Sequence, residues 1–209
     1  MGVLTMVLGP SGSGKSTSIL HLGNADVEVF GVTGKRLPFR SKIEVRRRAG
    51  YREIYQALKE NRSRAYVIDD STYLMQLDNF SRARVKGYDK FVEMALSFET
   101  LLEAAMDTDD DTVTYFLHHP QFGDDGSSKP QTIGKMLDNQ LCVEGLFDIV
   151  LECGIEDGGH VFWTNEHGLS KTPLNMFQER TVPNDLGLVD TRVREYWGMQ
   201  PLRRKEVAA

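Results

Sequence analysis

The stretch Gly9-Pro10-Ser11-Gly12-Ser13-Gly14-Lys15-Ser16-Thr17 constrains the fold more than any other part of the chain. Its spacing, Gly9-x-x-x-x-Gly14-Lys15-Ser16, matches the glycine-rich phosphate loop (P-loop, or Walker A element) at every fixed position. The flanks agree, since Val3 to Leu8 reads as a short buried strand and Ile19 to Leu22 as the continuation of a helix. Glycines at 9, 12 and 14 permit backbone angles that side chains forbid, so successive N–H groups can turn toward one anion. A following helix would add unpaired amides and the positive end of its dipole. Lys15 is then expected at the β- and γ-phosphates of a bound nucleotide, within a cradle running from Gly9 to Thr17. The Ser16 hydroxyl is expected to ligate Mg2+.

Such a loop needs a second, acidic element. Ala65-Tyr66-Val67-Ile68-Asp69-Asp70 supplies a buried-looking strand that ends in two carboxylates, the pattern of a Walker B element. Asp69 is expected beside the metal. Asp70 suits the orientation or deprotonation of an attacking water, or else serves as a turn acid or helix cap.

The remainder alternates strand and helix signals, which implies a mostly parallel sheet flanked by helices. Strands are expected over 26–33, 112–119 and 146–153, and helices over 52–61, 85–106 and 132–144. In the helix over 85–106, Tyr88, Phe91, Val92, Ala95, Phe98, Leu101, Leu102 and Ala105 form a core-facing stripe. Residues 122–131, rich in Gly, Ser, Asp and Pro, read as a mobile loop. Residues 159–171 read as a C-terminal hairpin turning near Asn165 to Gly168. The tail from Pro173 reads as irregular, with a short helix over 191–197. Composition agrees with one soluble domain over 1–209, with 40% hydrophobic and 26% charged residues and a net charge of −5. The two cysteines lack metal-type spacing, so a reducing cytoplasmic setting is expected, with no membrane association.

In an open parallel sheet, ligands sit at the carboxyl ends of the strands. Gly9, Asp69 and His118 all fall at such ends. The signature sequence of a transporter ATPase is missing. A small nucleotide kinase fits the length, but the segment 122–131 lacks the arginines of a kinase lid. The order of P-loop, Walker B strand, polar-ended strand, loop, helix, strand and hairpin resembles the ATPase core of RecA.

The stretches GKRLPF (34–39), VIDDSTYLM (67–75), KPQTIGKMLDNQLCVEGLFDIVLEC (129–153), KTPLNMF (171–177) and VPNDL (182–186) further resemble a phage-type family. Its members are small RecA-like ATPases described as AAA-family NTP-binding or single-strand-annealing proteins. The resemblance implies an ATP- and Mg2+-dependent ATPase of DNA recombination or annealing, working as a homo-oligomer in the host cytoplasm. It implies His118 or His119 as a γ-phosphate sensor and the loop 120–134 as a contact for single-stranded DNA. It also implies that Lys171 reaches ATP on a neighbouring subunit. The catalytic glutamate of such cores has no clear match, because the positions concerned read Gly31-Val32-Thr33-Gly34, and Glu28 is the nearest candidate. Slow hydrolysis, or a nucleotide-dependent DNA-binding module with almost none, is therefore the alternative, alongside a small nucleotide kinase.

The segment Lys35 to Arg48 carries seven cations against the single Glu44, in a chain that is acidic overall. With Phe39 among them, these residues suit single-stranded DNA. Alternatively they form a solvated insertion, over about 34–50, that pairs with an acidic neighbour in an oligomer.

Overall fold

The computed structural model describes residues 1–22, 25–124, 126–134, 137 and 141–203. Strands β1 (Val3–Leu8), β2 (Val27–Gly31), β3 (Val45–Arg47), β4 (Ala65–Asp69), β5 (Val113–His118), β8 (Ile149–Glu156), β9 (Gly159–Trp163) and β10 (Thr181–Pro183) form one sheet. Their spatial order is β10-β9-β8-β1-β5-β4-β2-β3. From β8 to β3 every pairing is parallel, and β9 alone runs against the others, pairing antiparallel with both β8 and β10. This order inserts β5 between β1, which leads into the glycine loop, and β4, which ends in Asp69, within a mostly parallel sheet flanked by helices.

Both faces of the parallel strands are covered, which is why those strands read as nearly continuous apolar runs. Leu4, Met6, Leu8, Phe30, Ile68 and Phe116 point to one face. There they pack on α1 (Tyr51–Glu60), α2 (Thr72–Ser81) and α3 (Asp89–Met106), through side chains such as Ile54, Phe98 and Leu102. Val3, Val7, Val67, Tyr115, Leu117 and Leu151 point to the other face, against Ile19, Leu22 and α4 (Leu186–Trp197). Among the described residues no helix is long and apolar enough to cross a membrane. Both thiols, Cys142 and Cys153, are free.

Several elements differ from the sequence reading, each for a local reason. The turn after the P-loop is a six-residue 3-10 helix, Ser16–His21, instead of a full α-helix. The sequence then reads Gly23-Asn24, two residues that disfavour helix extension. Helix α3 begins at Asp89, so Tyr88 stands exposed before it; Ala95, Phe98, Leu101, Leu102 and Ala105 of the stripe are buried, Phe91 packs partly against the core, and Val92 is half-buried. The segment expected as a mobile loop pairs into a small hairpin, β6 (Pro120–Phe122) with β7 (Ser128–Pro130), closed by the Gly123 amide donating to Ser127 O at 2.8 Å.

The expected hairpin over 159–171 does not form. The chain instead turns at Asp157-Gly158, both left-handed at φ +50° and +78°, the pair of positive angles that suits a tight two-residue hairpin between β8 and β9. Lys171 then bridges to Val150 through two backbone hydrogen bonds of 2.9 Å. The tail is more regular than expected. Helix α4 starts at Leu186, where the Asp185 carboxylate caps it by accepting from the amides of Gly187 and Leu188. The helix expected over 132–144 lies partly outside the described residues; Val143–Leu146 forms a short 3-10 turn.

Candidate active site

Register brings the critical strand ends to one edge of the sheet. Leu8 pairs with His118 and with Glu152, and Gly31 pairs with Asp69. The loop from Gly9 to Thr17 leaves β1 at this edge. Its first amide, that of Gly9, donates to the His118 carbonyl at 3.2 Å. Gly12 and Gly14 are left-handed at φ +81° and +107°. A Cβ on Gly14 would stand 2.3 Å from Asn184 Nδ2, so both the backbone angle and this contact disfavour a larger residue here.

The loop holds unused donors. The amides of Ser11, Gly12, Gly14, Lys15, Ser16 and Thr17 have no acceptor among the described residues. The buried Ser13 Oγ is likewise without a partner. Lys15 is 5% exposed, and its ammonium folds back onto the carbonyls of Gly9 at 2.5 Å and Pro10 at 3.0 Å. Burial pushes its pKa below the ordinary lysine range, and the nearby Asp69 and Asp70 offset only part of that shift.

Ser16 Oγ donates to Asp69 Oδ1 at 2.8 Å, joining the P-loop to the end of β4. Burial raises Asp69 to about 6, despite the hydrogen bond from Ser16. Among the described residues no trio of His, Cys, Asp or Glu gathers as a metal cage. The Ser16–Asp69 pair instead offers two hard oxygens, a donor set that suits Mg2+, which usually retains water and phosphate oxygens in its remaining positions.

Asp70 is left-handed at φ +62°, a strained angle for a residue with a side chain. It accepts from Thr33 Oγ1 at 2.7 Å, with Lys35 Nζ at 3.7 Å and His119 Nε2 at 3.6 Å. Burial works to raise its pKa, but His119, Thr33 and Lys35 together overcome burial and hold the carboxyl below its usual range. Asp70 is therefore an anion fixed in direction.

The other sequence candidates fall elsewhere. His118 is fully buried: Nδ1 meets Ser71 Oγ at 2.9 Å and Nε2 meets the Gln131 carbonyl at 2.9 Å, so both ring nitrogens are occupied. Burial lowers its pKa to about 4, which keeps the ring neutral. Of the two histidines, His119 is the one that faces Asp70. Glu28 is not brought to this edge. It lies three residues before Gly31 on β2, roughly 10 Å up the strand, and its carboxylate is held by Ser63 Oγ at 2.9 Å and Arg46 at 2.7 Å. Lys171 sits level with Val150, two residues short of Glu152.

Two residues that the sequence reading did not single out cover the loop. His160 Nδ1 lies 2.7 Å from the Ser13 carbonyl, and Asn184 Nδ2 donates to the Gly14 carbonyl at 3.0 Å. Their partners are 147 and 170 positions away in sequence, which puts these contacts beyond any local pattern.

No family model matches the chain, and no curated protein matches it. Among solved structures it is similar to one described as a prototypical ATPase from the type III secretion system of pathogenic bacteria. That similarity has 15% identity and a TM-score of 0.46, over 73% of this chain and 52% of the other, so the chain spans about half of that protein's length. None of these comparisons links the chain to a phage or strand-annealing family.

Proposed function

We propose that the chain is a P-loop ATPase that binds ATP with Mg2+ through residues 9–17 and Asp69. The observation that carries this reading is the set of amides without an acceptor among the described residues, those of Ser11, Gly12 and Gly14 to Thr17, beside a buried lysine and a serine–carboxylate pair. Converging amides and one cation form an anion site. In this reading the Lys15 ammonium exchanges its two loop carbonyls for phosphate oxygens. Ser16 and Asp69 would hold Mg2+, which when bound neutralises charge on the β- and γ-phosphates.

Hydrolysis on this reading is in-line attack of water on the γ-phosphorus. A new P–O bond forms, the bond to the β-phosphate oxygen breaks, and ADP leaves as the water's proton passes to solvent. Asp70, held anionic and aimed by Thr33, orients that water more than it takes its proton. With no glutamate at the end of β2 and Glu28 engaged elsewhere, turnover is slow. The same observation favours a second reading, a nucleotide-gated binding module with little hydrolysis. Action in DNA recombination or annealing, and assembly into an oligomer in which Lys171 meets a neighbour's nucleotide, rest on the sequence resemblance.

Calorimetric titration with ATP, together with phosphate release by wild type and Lys15→Ala, tests the proposal. Binding and Lys15-dependent release support it. Binding without release selects the module. Absence of binding overturns both.

A further inference from the structure

Beside the first residues of the glycine loop lies a cavity of about 230 Å3, with Pro10, Pro120, Phe122, Glu152, Trp163 and His167 among its lining residues. Its polar part is a tightly held group. Glu152 Oε2 accepts from His167 Nδ1 at 2.6 Å, and Oε1 accepts from the Leu169 amide at 2.7 Å. The His167 ring lies flat against the Trp163 indole, with centroids 4.1 Å apart and planes at 10°. Two glycines make room for this packing. A Cβ on Gly154 would collide with the Trp163 ring, and one on Gly168 would collide with the Glu152 carboxylate. Carboxylate, indole and imidazole come from β8, from β9 and from the turn after β9.

The carboxylate fixes what the imidazole can offer. An ionised carboxylate only accepts, so Nδ1 carries the hydrogen of the shared bond, and in the neutral ring Nε2 keeps a lone pair. Nε2 has no hydrogen-bond partner among the described residues, and the ring is partly exposed. The phosphate cradle gathers donors and a cation. This cavity does the reverse, setting one acceptor among aromatic and proline walls beside a negative charge. The Glu152 charge repels phosphates and carboxylates. What suits the space is an uncharged, apolar ligand with one hydrogen to donate.

We propose that this cavity binds a phenolic ring, its hydroxyl donating to His167 Nε2 and its carbons packed among Pro10, Phe122 and Trp163. An apolar cavity of roughly 150 Å3 holds benzene, so the space here suits one substituted ring. Aromatic walls add offset or edge-to-face contacts to the burial of the ring. A free phenol and a tyrosine side chain share this chemistry. The assignment needs no nucleotide, so it stands or falls apart from the ATPase reading.

Nuclear magnetic resonance of the full chain, titrated with p-cresol in the absence of nucleotide, provides the test. The chain has two tryptophans, Trp163 and Trp197, whose indole N–H signals report separately. p-Cresol shifts the Trp163 signal and leaves that of Trp197 in place. Toluene, which lacks the hydroxyl, binds about tenfold more weakly, the worth of one good hydrogen bond. His167→Phe keeps a ring to stack and abolishes the difference between p-cresol and toluene. In Glu152→Gln the Leu169 amide claims the side-chain oxygen, so the new N–H2 meets Nδ1 and the ring hydrogen moves to Nε2. Preference then moves from p-cresol toward 4-methylpyridine, which only accepts, a change that a merely structural carboxylate would not produce. N-acetyltyrosinamide binding more tightly than p-cresol assigns the ring to a tyrosine side chain, and weaker binding assigns it to a free phenol. Should Glu152→Gln melt early, the comparison in His167→Phe decides. An unmoved Trp163 signal, equal affinity for toluene, or a p-cresol preference that survives in His167→Phe would each overturn the assignment.

Discussion

The two most buried cations among the described residues stand at opposite ends of the strands and are treated in opposite ways. Arg194, 2% exposed, sits near the amino ends. Its Nε donates to Asp190 at 2.6 Å, and its terminal nitrogens donate to the carbonyls of Asp111, Gln200 and Arg64. Tyr115 Oη completes Asp190 at 2.9 Å. At the carboxyl ends Lys15, 5% exposed, has only carbonyls of its own loop, while the nearest carboxylates are engaged by Ser16 and Thr33. A cation bonded to carboxylate and carbonyls from four chain segments is a lock. One bonded to two carbonyls of its own loop is exchangeable, because a phosphate can replace those acceptors without unravelling anything. The contrast separates stability from function within a single sheet.

The largest effect is expected at the lock. Arg194→Ala leaves Asp190 buried without its countercharge and should destabilise the fold by about 3–5 kcal/mol, read as a lower urea midpoint with an unchanged slope. Lys15→Ala should do the reverse. It removes a buried charge that no carboxylate pairs, so the urea midpoint stays level or rises. ATP turnover nevertheless falls about 10²–10³-fold, the usual consequence of deleting one charge-stabilising donor. A marked loss of stability in Lys15→Ala would erase the distinction between the two cations.

The loop's geometry sharpens the same comparison on a smaller scale. Gly14→Ala sets a left-handed angle against a contact with Asn184, whereas Gly12→Ala carries a similar angle into open space. The first should lose about 1–3 kcal/mol together with nucleotide binding, and the second about 1 kcal/mol. Calorimetry on both variants separates contact from conformation. Equal losses would mean that the cover formed by Asn184 and His160 plays no part in shaping the loop.

The turn over residues 9–17 was legible because much of its geometry is local, with Gly12 and Gly14 supplying the left-handed angles that it uses. The strand Ala65–Asp69 was legible for a related reason, since a buried apolar run must end where carboxylates begin. What escaped depends on distant pairing. Asn165 to Gly168 and Asp157-Gly158 both carry turn residues, and only the pairing of β8 with β9 selects the second. Glu28 suited a catalytic role by composition, but register carried it up the strand to Ser63 and Arg46. His118 and His119 are adjacent in sequence, and strand alternation alone sends one into the core and the other toward Asp70.

The smallest effect is a pH dependence in which two buried groups at the carboxyl ends of β4 and β5 oppose each other. His118 has its folded pKa lowered from 6.5 to about 4 by burial. Between those values the unfolded chain takes up a proton that the folded protein refuses. Its contribution to stability is thus present above pH 6.5 and is lost as pH falls toward 4. Asp69 is raised from 3.8 to about 6, again by burial first. Here the folded protein holds the proton more tightly, so the contribution is present below pH 3.8 and is lost as pH rises through 6. Over pH 4–6 the two slopes have similar size and opposite sign, and in wild type they largely cancel. Removing either group exposes the other. His118→Gln should gain stability relative to wild type on going from pH 6 to pH 5, by up to about 1.4 kcal/mol, and Asp69→Asn should lose as much. Urea midpoints at the two pH values decide the matter, since parallel shifts in both variants would mean that neither group titrates where its burial places it.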